Sequence, residues 1–199
     1  MTPAASSTAL LVIRGNSGSG KSTVAREVRR RYGRGCALLE QDYLRRIVLR
    51  EHDSSNINPV APGFIAAVTR TALDAGYHAV LEGILHADRY GPALRDLIAE
   101  HPGPSHLFYL DVSYDETVRR HAGRAAGVDF TADDMRDWYA AKDLLGVAGE
   151  HVIGEDSTFE QTVTTILHTS GLAEIGPTTP CPSRCPRCFT ELEHAQPTS

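Results

Sequence analysis

The chain has 199 residues, 41% of them hydrophobic, which is enough for one domain with a full core and a short appendage. A formal net charge of −5 supplies no global positive field to draw in a polyanion, so nucleic acid is not the expected partner. No run of about 18 apolar residues occurs, and the opening MTPAASSTAL lacks both a basic start and a long apolar segment, so a soluble, cytoplasmic protein is expected and a membrane one is not.

The run ALLVIR, Ala9 to Arg14, is continuously apolar up to its last residue, as in a strand buried on both faces of a parallel sheet. A glycine-rich loop follows, and then Val24, Val28 and Tyr32 recur at helical spacing until Gly33 stops them. CALLE, Cys36 to Glu40, is a second strand, and a polar-faced helix is expected around Tyr43 to Arg50. The Asn, Ser and Pro of REHDSSNINPVAPG mark a loop. A helix from about Gly63 to Ala75 places Ile65, Val68 and Ala72 on one face, with Gly76 at its end.

YHAVLEG and SHLFYLD are strands three and four, separated by a helix carrying Leu94, Leu97 and Ile98. Ser113 with Glu116, Thr131 with Asp134, and Ser157 with Glu160 have the capping-box spacing and announce three later helices. EHVIG is a fifth short strand before the last of them. Alternating strands and helices mean an α/β domain, a five-stranded parallel sheet covered on both faces. The expected division is 1–176 for this domain and 177–199 for a tail that holds five of the eleven prolines and three of the four cysteines.

Gly15, Gly20, Lys21 and Ser22 satisfy G-x-x-x-x-G-K-[ST] between an apolar strand and a helix. Glycines let successive N–H groups of Gly15, Asn16, Ser17, Gly18, Ser19, Gly20 and the helix start, Lys21 to Thr23, line one concavity at the positive end of a helix. Lys21, one of only two lysines, is placed to reach β- and γ-phosphates, and the Ser22 hydroxyl to reach Mg²⁺. ATP with Mg²⁺ is the expected cofactor pair. No guanine-reading Asn-Lys-x-Asp surrounds Lys21 or Lys142, which argues against a GTPase.

With GNSGSGKST, LEQDYLRR, VLEGIL and FYLDVSYDETVRRHAGR in this order, the chain resembles the P-loop kinases of small molecules, the group of adenylate, shikimate and gluconate kinases. Within that group it is most similar to chloramphenicol phosphotransferase-like and zeta-toxin-like ATPases. The resemblance runs from about Ala9 to Thr169 and implies a P-loop NTPase sandwich with a helical lid, here about 120–142.

Asp42 stands just past strand two, at the edge where open α/β sheets bind ligands. It is suited to accept the proton of an attacking hydroxyl, and in the resembled kinases an acidic residue here contacts the acceptor. The same residue would also serve as a helix N-cap. Glu82 closes the third strand at that edge, with three roles open: holding a Mg²⁺-bound water, receiving the acceptor hydroxyl, or competing with Asp42 as base.

By the R-x-x-x-R pattern of the resembled lids, Arg120 is the residue that stacks on adenine and Arg124 the phosphate clamp, with Arg136 a second hand on the substrate side. Each also fits a solvated basic helix face. Gly123 and Gly127 fit a hinge. VIGEDS, Val152 to Ser157, takes the place where such kinases wrap the adenine edge, and Trp138 and Tyr139 either face an acceptor or pack.

In the tail, Cys181, Cys185, Cys188 and His194 offer four donors of zinc-ligand type, against the alternatives of idle thiols or a disulfide. Cys36 is expected in the core. The expected activity is ATP- and Mg²⁺-dependent phosphorylation of a hydroxyl on a small molecule resembling an antibiotic, nucleoside or sugar. A sugar-nucleotide or nucleotide-end kinase is the nearest rival, for which Arg45, Arg46 and Arg89 would line a polyanionic pocket. A nucleotide-binding regulatory module that docks a partner through its tail is the second.

Overall fold

The computed structural model describes residues 8–51, 59–123, 131–177, 181–183 and 185. Five strands run parallel in the order β2-β3-β1-β4-β5: β1 (Leu10–Gly15), β2 (Cys36–Glu40), β3 (His78–Gly83), β4 (Ser105–Asp111) and β5 (Glu150–Gly154). β1 is flanked by β3 and β4, with Ile13 in register with Glu82 on one side and Phe108 on the other. Every residue of β1 and β3 is buried, as their near-continuous apolar runs require of strands covered on both faces.

Alternation along β1 feeds two cores. Leu11 and Ile13 pack with Val24 and Val28 of α1 (Lys21–Tyr32) and Val163 and Ile166 of α6 (Phe159–Thr169). Leu10 and Val12 pack with Ile65 of α2 (Ala61–Asp74) and Leu94 and Leu97 of α3 (Ala87–Glu100). Helices α4 (Tyr114–Ala122) and α5 (Ala132–Trp138) follow β4, and the short α7 (Leu172–Ile175) follows α6. Among the described residues no helix is long and apolar enough to cross a membrane.

Three expectations shift in detail. The helix expected at Tyr43 to Arg50 is a wider turn over Tyr43–Val48, in which the Leu49 N–H reaches the Leu44 carbonyl five residues back. α2 starts at Ala61, two residues ahead of Gly63, because Pro62 in the first turn gives up no hydrogen bond there. The last capping box uses Thr158 and Gln161, one residue on from Ser157 and Glu160. Thr131 and Asp134 form the reciprocal box as expected, whereas Ser113 caps α4 alone, since the Glu116 carboxylate is taken by Arg119 and Arg120.

Candidate active site

The loop between β1 and α1 is shaped by backbone that only glycine adopts without strain. Gly18 (φ +83°) has no room for a Cβ, which would lie 2.7 Å from the Thr117 carbonyl oxygen. Gly20 (φ +93°) turns the chain into α1 in a left-handed conformation and faces open space. It leaves the helix N-terminus with no side-chain cap and no acid in its first turn, so the free N–H groups and the positive helix end are available to an anion. The Lys21 ammonium lies over the loop, 3.4 Å from the Asn16 carbonyl oxygen, and among the described residues the buried Ser19 hydroxyl has no hydrogen-bond partner.

Asn16 has a second task. Its amide donates to the Ala140 carbonyl at 2.9 Å and accepts from the Ala140 N–H at 3.0 Å, pinning the segment after α5 against the loop. Beneath it lies Arg14, fully buried on β1, which donates to the Leu85 carbonyl and to the carboxylates of Asp143 at 2.9 Å and Glu150 at 3.2 Å. Asp143 also accepts from the Ala87 N–H at the start of α3. This buried cation ties β1, the strand-three edge, α3 and β5 together. In the sequence it looks like the polar end of an apolar strand, and its partners lie 129 and 136 residues away.

At the carboxyl edge of the sheet, the Ser22 hydroxyl donates to Glu82 at 3.0 Å. Burial pushes the Glu82 carboxyl above the ordinary carboxylate range, against the pull of Lys21 and the Ser22 hydrogen bond, with Glu40 and Asp42 adding repulsion. Hydroxyl and carboxylate oxygens at a helix N-terminus form a hard donor pair that suits Mg²⁺ beside phosphate. Ser22, Glu40, Asp42, Arg46 and Glu82 line a cavity of about 330 Å³. Glu40, in register with Glu82 and paired with Arg26 at 2.6 Å, was not singled out in the sequence. Its sole signal there is its place two residues before Asp42.

The Asp42 side chain is 71% exposed, makes no capping hydrogen bond, and stands 3.5 Å from the Arg46 guanidinium. It opens onto this cavity and onto a second one of about 110 Å³ lined by Arg45, Arg89, Tyr90 and Trp138 among others. Gln41 beside it is fixed by accepting the Leu85 N–H, and a Cβ on Gly83 would collide with its side chain.

On the far side of the loop, a cleft of about 450 Å³ is lined by Gly20, Thr23, Arg120 and residues 153–159. Arg120 spans it, donating to the Ser19 carbonyl at 3.2 Å, to the Glu155 carbonyl at 3.3 Å and to Glu116 at 2.7 Å. Hydrogen bonds from Arg119 and Arg120 hold the Glu116 carboxyl down to about 2. The VIGEDS stretch and Arg120 thus meet on one wall of the cleft.

Arg136 lies 4.8 Å over the Tyr114 ring and lines neither Asp42 cavity. Tyr139 packs edge-on against the same ring and donates to the Val112 carbonyl, while Trp138 faces the smaller cavity. Arg124 and Gly127 lie outside the described residues, as do Cys188 and His194. The Cys181 and Cys185 sulfurs are 3.6 Å apart, and among the described residues no three His, Cys, Asp or Glu side chains converge on a metal position. Cys36 is core, its thiol pushed up to about 12 by burial.

No curated protein matches the sequence significantly. The fold is shared with an unliganded sugar kinase from Janibacter sp. HTCC2649 (21% identity, 86% of this chain and 99% of that one, TM-score 0.68). It is shared too with a gluconokinase from Sinorhizobium meliloti 1021 (18%, 85% and 94%, TM-score 0.61). A third likeness is to the Mycobacterium tuberculosis APS kinase in complex with AMPPNP and APS (18%, 84% and 98%, TM-score 0.62). The family model described as AAA domain matches residues 10–142, and with more than half of its length so matched the chain belongs to that family, AAA_33, and carries the fold of the P-loop small-molecule kinases.

Proposed function

We propose that the protein transfers the γ-phosphate of ATP to a hydroxyl of a small molecule. The observation that carries this reading is the continuity of the sheet edge: the uncapped α1 N-terminus with Lys21 and Ser22 is joined through the Ser22–Glu82 hydrogen bond to a cavity that ends at the exposed carboxylate of Asp42. The sugar kinase, gluconokinase and APS kinase that share the fold support it.

In this reading the adenine lies in the cleft under Arg120 and the 153–158 segment, and the loop N–H groups with Lys21 hold the β- and γ-phosphates. Ser22, with Glu82 behind it, holds Mg²⁺, which supplies neutralisation of the charge that builds on the phosphate oxygens. Asp42 orients the acceptor hydroxyl and takes its proton as the oxygen bonds to the γ-phosphorus and the bond to the β-phosphate oxygen breaks, releasing ADP. Arg124, by its spacing from Arg120, is assigned to the transferring phosphoryl, and the segment about 120–142 to a lid that excludes water.

The test is transfer of label from γ-labelled ATP and Mg²⁺ to a panel of hydroxyl compounds, run beside Asp42→Asn. Transfer to an acceptor that the substitution abolishes, with ATP affinity unchanged, is the expected result. ATP binding with no acceptor labelled would overturn the reading in favour of a regulatory module, and transfer that survives Asp42→Asn would remove Asp42 as base.

A further inference from the structure

The segment after α5, residues 139–143, belongs to no helix or strand, and buried side chains pair its backbone where a neighbouring strand would otherwise do so. Asn16, 3% exposed, gives its amide to a single residue there, donating to the Ala140 carbonyl and accepting from the Ala140 N–H. The two bonds use opposite atoms of the amide, so a flipped amide would make neither. The Tyr109 hydroxyl, on β4 in register with Arg14, donates to the same Ala140 carbonyl at 3.2 Å and accepts from the Asp143 N–H at 3.2 Å. Arg14 in turn holds the Asp143 carboxylate.

The main chain of Asn16 is part of the phosphate loop itself. Its carbonyl accepts from the Ser19 N–H at 3.1 Å and from the Lys21 ammonium. One residue therefore has its backbone in the loop and its side chain on the segment after α5. Trp138, two residues before Ala140, lines the small cavity beside Asp42, whereas the cleft under Arg120 is walled by the loop, α4 and residues 153–159.

We infer that Asn16 is a positioning residue through which the state of the phosphate loop sets the Trp138 wall of the acceptor cavity. A phosphate in the loop draws the Lys21 ammonium from the Asn16 carbonyl to its own oxygens and fixes the loop N–H groups. The amide, bonded at both ends to Ala140, carries that change into the segment and on to Trp138, because a packed interior passes displacement along rather than absorbing it. Gln41, beside Asp42 across the cavity, has its own anchor in the Leu85 N–H and stands outside this relay. The inference deepens the phosphotransferase reading and rests on it for the nucleotide in the loop.

The test reads the relay directly, because Trp138 is the only tryptophan in the chain. The full chain is titrated with AMPPNP and Mg²⁺, with binding followed by calorimetry, Trp138 by its emission, and the Ala140 N–H by hydrogen exchange in NMR. In the wild type, saturation is expected to shift the emission and to slow exchange at Ala140 by about 3- to 10-fold, the equivalent of firming one hydrogen bond. Asn16→Ala, brought to saturation whatever its affinity, should lose both responses, and Tyr109→Phe, which lies outside the loop, should lose part of each. A clasp that is structural only would lower the melting temperature of both variants and leave both responses at wild-type size, which overturns the inference. Where Asn16→Ala does not fold or bind, Tyr109→Phe decides between these outcomes by itself. A wild type that binds nucleotide without either response also sinks the inference and leaves the kinase reading standing, while a wild type that binds no nucleotide sinks both.

Discussion

The two ends of the sheet edge are built differently. The end proposed to hold phosphate is one continuous stretch, Gly15 to Thr23, built of backbone N–H groups, glycine torsions and a helix end. The end proposed to receive the acceptor is assembled from side chains on β2, the turn after it, β3, α3 and the end of α5, held in place by Gln41 and by the Arg14 cluster. A backbone site tolerates almost no change of sequence spacing and so announces itself; a side-chain site is free to change its occupants while its frame stays, which is how one fold serves many acceptors.

The largest effects should divide the two ends cleanly. Lys21→Met removes the charge that meets the phosphates and should lower transfer by about 10²- to 10³-fold together with ATP affinity. Asp42→Asn should lower kcat by about 10²- to 10⁴-fold while leaving ATP affinity and thermal stability unchanged, because the side chain is 71% exposed. Equilibrium ATP binding beside steady-state kinetics checks both, and an Asp42→Asn protein that loses ATP would break the comparison.

Arg14 lies under both ends. Arg14→Met strands Asp143 and Glu150 without their buried partner and should cost about 3–5 kcal/mol in denaturant unfolding. Since Asp143 also holds the first N–H of α3, the residual activity should fall at both ends at once. A loss confined to ATP binding would show that Arg14 serves the phosphate end alone.

Next in size is Gly83→Ala. The added methyl group meets the Gln41 side chain, which holds the Leu85 N–H, and overpacking of this kind costs about 1–3 kcal/mol. Displacement of Gln41 disturbs the Asp42 turn, so the acceptor KM should rise several-fold with the KM for ATP unchanged. Equal change in both would mean that the two ends are not mechanically separate.

Legibility followed the same division. β2, β4 and β5 occupy the stretches that their apolar runs mark, and the loop motif lies where strand and helix periodicity bracket it. What stayed hidden depends on contacts distant in sequence. Arg14 looks like a polar strand end until Asp143 and Glu150 come round to it, and Asn16 looks like a phosphate-loop filler until Ala140 occupies its amide. Asp42 satisfies N-cap statistics, but the wide turn after it leaves that cap unmade and turns the carboxylate to the cavities.

Glu82 gives a smaller effect whose sign is informative. Its raised pKa means that the folded chain binds more protons than the unfolded one between the ordinary carboxylate value and the raised one, so stability falls as pH rises through that window. Glu82→Gln, whose amide oxygen still accepts from Ser22, should therefore melt higher than wild type at neutral pH, and the difference should shrink as pH drops through the window. It should also weaken Mg²⁺-dependent transfer, so the site would hold a carboxylate at the expense of stability. A melting temperature lower than wild type at neutral pH would mean that Lys21 and Ser22 outweigh burial, and that Glu82 is a structural ion-pair partner first.

The smallest effect should come from Arg136. The sequence places it as a second hand on the substrate, but its guanidinium covers the Tyr114 ring, against which Tyr139 packs edge-on. An exposed cation over a tyrosine face contributes about 0.5–1 kcal/mol, enough to steady α5 against α4 and too little to hold a substrate by itself. Arg136→Ala should lower stability by that amount and leave the acceptor KM within about twofold, the kinetic equivalent of less than 0.5 kcal/mol. A rise of tenfold or more in the acceptor KM would instead bring Arg136 off Tyr114 and onto the substrate during turnover, and the acceptor end would then include a residue that reaches it only when the enzyme closes.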